Sequence, residues 1–172
     1  MKTSSLSQKE FDPYYKIYIN KLAPELDLRK GYAEGKKNVI QFFSNIPEDK
    51  LLYKYDEGKW SIKEILQHLI DTERIFMYRC FRIARNDKTA LTGFDQDIYI
   101  EPSGADHKPL QALIEEYSIL RDAFISFLNS VPDSQLEYVG NANGGALSAR
   151  SAAFIMLGHE IWHMDIIKER YL

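Results

Sequence analysis

The sequence predicts an all-α protein, a four-helix bundle with long connections. Three observations carry that prediction. Apolar residues recur at helical spacing in four stretches of about 17 to 25 residues. Capping residues and prolines punctuate those stretches, and the segments between them are too long for the simplest up-down wiring to be assumed. The 172 residues suffice for one sizeable core and not comfortably for two.

Residues 1–24 read as an N-terminal arm, and 25–172 as a single bundle domain. Residues 1–10 are polar and expected to fray. Phe11 to Leu22 is rich in tyrosine and is expected to pack along the body, in a conformation the pattern leaves open. The first long helix is expected from about Leu26 to Asn45, on Leu28, Tyr32, Val39, Phe42, Phe43 and Ile46, with Pro47 beyond its end. Gly31 and Gly35 weaken it, at about 1 kcal/mol each against alanine. Leu51, Tyr53 and Tyr55 alternate with charged residues as a short extended connector.

The start of the second helix is sharply marked. Ser61 and Glu64 form a capping box, and Trp60 and Ile65 a hydrophobic staple. It is expected to run to about Arg85, with His68 at the margin of its apolar arc. Residues 86–108 show no sustained period, and a loop of this length is often a lid or binding loop. Pro109 is expected as the first residue of the third helix, which extends to about Asn129 before Pro132. Asn141 to Gly145 marks a turn whose flanks could pair as a small hairpin. The fourth helix is expected from Ser148 almost to Leu172.

Composition narrows the function classes. A formal charge of -3 gives no electrostatic reason to expect nucleic acid as a partner. The single cysteine, Cys80, excludes an internal disulfide, falls within an apolar arc, and fits a reducing compartment. No apolar run approaches the roughly 20 residues of a membrane helix. The first ten residues lack the apolar segment of a signal peptide, so a cytoplasmic location is expected.

The chemistry concentrates on histidine. His159 and His163 are four residues apart, so both imidazoles leave one face of the fourth helix. That face also carries Ile155, Met156, Ile166 and Ile167, where ring nitrogens have few polar partners. A helical histidine taken singly is usually a packing or surface residue. An inward pair with His68 on a second helix points instead to a divalent ion, although sequence distance does not show that they meet. His159 to His163 also spells H-E-x-x-H, the zincin motif, in which Glu160 would be a general base. The downstream ligand that reading needs has no convincing candidate, and Glu160 lies about 100° round the helix from His159. Asp71 is a candidate to orient His68 or take a proton, against a plain solvated pairing with Arg74. Glu64 is accounted for by its cap, Trp162 by packing or a groove wall, and His107 by an exposed place in the loop, with a fourth-ligand role as its alternative.

Lys59-Trp60-Ser61-Ile62-Lys63-Glu64-Ile65-Leu66-Gln67-His68-Leu69-Ile70-Asp71, the run from Arg82, Gly93-Phe94-Asp95, and the closing Gly158-His159-Glu160 to His163 resemble the DinB/YfiT-like superfamily over about residues 25–172. The resemblance implies an unusually connected four-helix bundle holding a divalent ion on His68, His159 and His163; zinc and nickel are both compatible with such nitrogen ligands. It implies a metal-dependent hydrolase, or a transferase using a low-molecular-weight thiol such as bacillithiol or mycothiol as co-substrate. Three neutral imidazoles would leave an ion its full Lewis acidity and open positions. Such an ion activates either water or a thiol, so one apparatus serves both reactions.

Two function classes follow. One is an enzyme acting on a small-molecule electrophile. The other is a non-catalytic, metal-stabilised bundle that serves as an interaction module. A homodimer is expected on general grounds for bundles of this size, without an identifiable face.

Overall fold

A computed structural model describes residues 1–172. The four long helices are α2 (Leu28–Ser44), α3 (Ile62–Ala84), α5 (Leu110–Ser130) and α7 (Ala149–Arg170). Short helices α1 (Lys16–Ile19), α4 (Asp97–Ser103) and α6 (Asp133–Leu136) lie in the connections. Strands β1 (Val139–Ala142) and β2 (Gly145–Ser148) pair antiparallel.

The capping signals act as read. Ser61 accepts from the Glu64 amide while the Glu64 carboxylate accepts from the Ser61 amide, and Ser148 and Ser151 do the same at α7. Pro109 differs from expectation. Its ψ of 140° is extended, so it caps α5 from outside and Leu110 is the first helical residue. The Leu51–Tyr55 connector is turned rather than extended, entered through a 3-10 turn at Glu48–Lys50.

Wiring follows from which helices touch. Both α2 and α3 pack on α5 and α7, so the chain links α2 to α3 and α5 to α7 across the diagonals of the bundle. Long connections are what diagonal crossings require. They leave α3 beside α7, though 64 residues separate the end of one (Ala84) from the start of the other (Ala149). The first turns of α7 are enclosed on nearly all sides: from Ala149 to Glu160 only Arg150 is not buried.

The core has two apolar halves. One gathers Tyr32, Phe76, Phe124 and Ile155; the other gathers Phe43, Leu66, Tyr117 and Ile167. Between them, at mid-height, buried polar groups come from three helices: His68 and Glu73 on α3, Arg121 on α5, and His159, Glu160 and His163 on α7.

The N-terminal segment is held rather than frayed. The Met1 amino group donates to Asp27 at 2.9 Å, and the Leu28 amide donates to the Met1 carbonyl. Glu10 is buried, accepting from Arg150 at 2.7 Å and from the Ser148 hydroxyl at 2.9 Å. A polar composition predicts fraying only where such partners are lacking. The hairpin anchors two further segments: Phe11 bridges to Leu147, and Leu91 exchanges backbone bonds with Asn141 and Asn143. Its turn places Asn143 and Gly144 at φ of 54° and 79°, the left-handed pair that an Asn-Gly hairpin turn uses.

Helix α1 lies against α7, and one glycine permits the approach. A Cβ on Gly158 would sit 2.1 Å from the Tyr18 carbonyl oxygen. Gly158→Ala is therefore expected to destabilise the protein by about 1–3 kcal/mol, the overpacking penalty exceeding the gain in helix propensity. Urea unfolding measures the loss. Hydrogen exchange should show it concentrated in residues 11–22, and an alanine variant as stable as the parent would refute the close approach.

Candidate metal centre

His68 lies one and a half turns into α3, and His159 and His163 lie on the α7 face that packs against it. The Nε2 of His159 is 3.1 Å from the Nε2 of His68 and 3.1 Å from the Nε2 of His163. One ligating atom from each ring lies within 4.8 Å of the others. A single ring N–H cannot donate linearly to two other nitrogens at once, so the approach of three facing nitrogens is poorly accounted for by hydrogen bonding among the rings. Ligands at about 2.0–2.1 Å from a tetrahedral ion would be roughly 3.3–3.4 Å apart, so both the donor set and the spacing fit a bound metal.

The surroundings keep these nitrogens available. All three rings are buried, at 2%, 5% and 7% exposure for His68, His159 and His163. Burial pushes the His68 pKa down to about 4 and holds those of His159 and His163 well below the ordinary imidazole range, so the rings are neutral at physiological pH. The Nδ1 of His68 is 3.4 Å from the Thr72 hydroxyl, which can accept its proton and leave Nε2 unprotonated. Trp60 stacks at a tilt 4.7 Å from His68, Tyr18 meets His159 edge-on at 5.1 Å, and Trp162 meets His163 edge-on at 4.8 Å.

Two adjoining openings reach the cluster. A cavity of about 440 Å³ ends at His159 between Tyr15, Phe76 and Phe94. A cleft of about 320 Å³ ends at His163 between Trp60 and Trp162. Tyr14, Tyr18, Gln96 and Asp97 line both. The segment from 86 to 108 therefore does contribute to the walls, and it contains the short helix α4, which its sequence did not announce.

The other candidates lie elsewhere. Asp71 accepts from Gln67 at 3.1 Å and pairs with Arg74 at 2.8 Å, outside the histidine cluster. Glu64 caps α3 and pairs with Lys54. His107 is exposed in a 3-10 turn and has no part in the cluster. Cys80 is fully buried, and burial pushes its thiol pKa up. Glu160 points away into the core, where Arg121 donates to it at 2.6 Å and to both oxygens of Glu73 at 2.7 and 2.8 Å. The Tyr117 hydroxyl donates to the same Glu160 oxygen at 3.1 Å. A carboxylate so engaged is not a free general base beside the histidines, and the zincin reading of H-E-x-x-H fails on this geometry.

Fold and site together define a helical bundle with three buried imidazoles beside a cavity and a cleft. The DinB superfamily profile matches residues 32–167, and the chain belongs to that superfamily. A protein of Oceanobacillus iheyensis whose name proposes a metal-dependent hydrolase is 25% identical over 129 residues, 73% of this chain and 72% of its own. Bacillus subtilis YfiT, a probable metal-dependent hydrolase with an unusual four-helix bundle topology, superposes with a TM-score of 0.74 at 15% identity, covering 83% of this chain and 82% of that one. That likeness shows the fold. No helix here is long and apolar enough to cross a membrane.

Burial of the histidines has a pH consequence. In chelator-treated protein the unfolded chain protonates His68 near 6.5, whereas the folded chain holds it neutral down to about 4. The unfolded state thus binds more protons in that interval, so stability present above pH 6.5 is lost as the pH falls toward 4. Denaturant midpoints across pH 4–7 should show this loss, and His68→Leu should reduce it, His159 and His163 keeping their own share. An unchanged slope in that variant would contradict the burial argument.

Proposed function

We propose that the chain is a divalent-metal-dependent hydrolase whose ion is held by His68, His159 and His163 and whose substrate is a small electrophile. The observation that carries this reading is the mutual approach of three neutral, buried ring nitrogens with no other partner for that contact. Zinc and nickel both suit an all-imidazole donor set. When bound, the ion supplies Lewis acidity with its charge undiminished by anionic ligands, together with free positions for water or substrate.

The chain's own residues supply the rest. Thr72 fixes the His68 tautomer through Nδ1. Tyr18, Trp60 and Trp162 wall the cluster and limit access to the two openings. Asp97, exposed where the two openings meet, is the one carboxylate that lines both, and we assign it the proton released by water or another nucleophile. The names of the relatives support the hydrolase reading.

A second reading, transfer to a low-molecular-weight thiol, is favoured by the paired openings. A hydrolase needs one entry for its organic substrate, whereas a thiol transferase must seat two molecules that meet at the ion. The cavity at His159 and the cleft at His163 would receive one each.

Metal analysis decides the common premise. The parent is expected to carry about one ion per chain and His159→Ala/His163→Ala close to none, with turnover down roughly 100-fold or more. Full metal retention in the double variant would reject the site. Asp97→Asn is expected to lower kcat by about 100-fold while metal content stays unchanged. Consumption of a model electrophile with and without thiols separates the two readings: a rate independent of thiol supports hydrolysis, and saturation in thiol supports transfer.

A further inference from the structure

The cavity that ends at His159 contains one cation, Arg79. Arg79 is 2% exposed. Its Nη2 donates to the Thr92 carbonyl at 2.9 Å, and its guanidinium lies 5.1 Å from the Phe76 ring centre and 5.4 Å from that of Phe94. Its Nη1 is buried and has no partner. The neighbouring arginines of α3 differ: Arg74 pairs with Asp71 and Glu116, and Arg82 pairs with Asp87. The other buried guanidinium, that of Arg121, is matched by two carboxylates although its own Nη1 is also unpartnered.

A buried charge without a counterion is among the least tolerated features of a protein interior. Two aromatic faces offset part of that penalty and leave the charge unneutralised. Arg79 is also fastened to the segment that walls the cavity, through Thr92 and Phe94. It is therefore held in place, aromatic on its faces and beside the Tyr15 side chain, with one buried donor nitrogen unpartnered.

We propose that Arg79 is the anion-binding residue of the substrate site, and that the substrate carries a single carboxylate. A guanidinium fork matches a carboxylate with two parallel bonds. Arg79 follows His68 by eleven residues, three turns along the same face of α3. At about 1.5 Å per residue the two Cα positions are roughly 16 Å apart along the axis. Both side chains lean the same way, so the carboxylate would be separated from the reacting end by a distance of that order. Aromatic walls between the two suit a flat or extended apolar body. Asp95 and Asp97, exposed at the cavity mouth, disfavour a doubly charged phosphate ester, which one guanidinium would not neutralise. The reacting end rests on the function proposed above, whereas the charge recognition stands on Arg79 alone.

Calorimetric titration of the protein as purified, with phenylbutyrate and phenylbutyramide as probes, tests this, with metal content measured on the same samples. The parent is expected to prefer the carboxylate by at least about 10-fold. Arg79→Met is expected to abolish that preference while leaving amide binding and metal content unchanged. If Arg79→Met does not fold, the parent's preference and a tightening of carboxylate binding by about 2-fold in Asp95→Asn decide the matter. Equal binding of the two probes by the parent would overturn the proposal. So would carboxylate binding that survives in Arg79→Met, which would place the carboxylate on the ion instead. Tighter binding of phenylpropyl phosphate than of phenylbutyrate would overturn the carboxylate assignment. Absence of metal from every sample would defeat the hydrolase reading and leave the carboxylate preference as an independent result.

Discussion

The arrangement depends on one buried guanidinium. Arg121 reaches from α5 to Glu73 on α3 and Glu160 on α7, with Tyr117 completing the shell of Glu160. Buried ion pairs of this kind are poor sources of net stability, because desolvation offsets most of their attraction. What they enforce is position. Glu73 is five residues beyond His68, and Glu160 is the residue after His159, so the fork that joins the carboxylates also sets the axial register of α3 against α7. A slip of one turn would separate the acidic groups from Arg121 and His68 from the α7 pair together. Burial pushes the Glu160 pKa up while Arg121 draws it down. The helices are thus locked by a group whose alternatives are all worse, rather than by one that is strongly favourable in itself.

Polar residues at mid-height divide the core into two apolar halves, and the two polar clusters there have opposite characters. The Arg121 cluster is closed and holds the helices. The histidine cluster is open, reached by a cavity and a cleft, and its facing nitrogens have only one another as partners. In the function proposed above, setting the histidines directly beside the closed ion-pair cluster preorganises them for an ion. Ligand rings held by packing and ion pairs do not have to be gathered when the ion arrives. The arm completes the enclosure, since Tyr18 stands between the two openings and packs on His159.

Much of this was legible in the residues. The capping boxes at Ser61 and Ser148 and the Asn-Gly turn depend on bonds within three or four positions, so local sequence specifies them. The same holds for the i, i+4 placement of His159 and His163. The charged members of the core left a trace that is easily passed over. Arg121 falls in phase with Tyr117 and Phe124, Glu73 with Leu69 and Phe76, and Glu160 with Met156 and Met164, each a charge where the period asks for an apolar side chain. Read alone, each looks like an interruption of a stripe. Their meaning lies in being three such interruptions of compensating sign. Helix α4 left less trace, because a seven-residue helix with Pro102 inside it is supported by its neighbours rather than by its own periodicity.

By itself, then, the sequence determined the four long helices, their ends to within a residue or two, and which face of each turns inward. All of these follow from hydrogen bonds and apolar spacing within a turn or two of chain. Only the tertiary structure decided that α3 lies beside α7 and not α2, that His68 therefore meets His159 and His163, and that Glu160 turns from them toward Arg121. Those outcomes depend on pairings between residues up to 95 positions apart. No local preference specifies such pairings; they arise because this packing brings Glu73, Arg121 and Glu160 of three helices together at once.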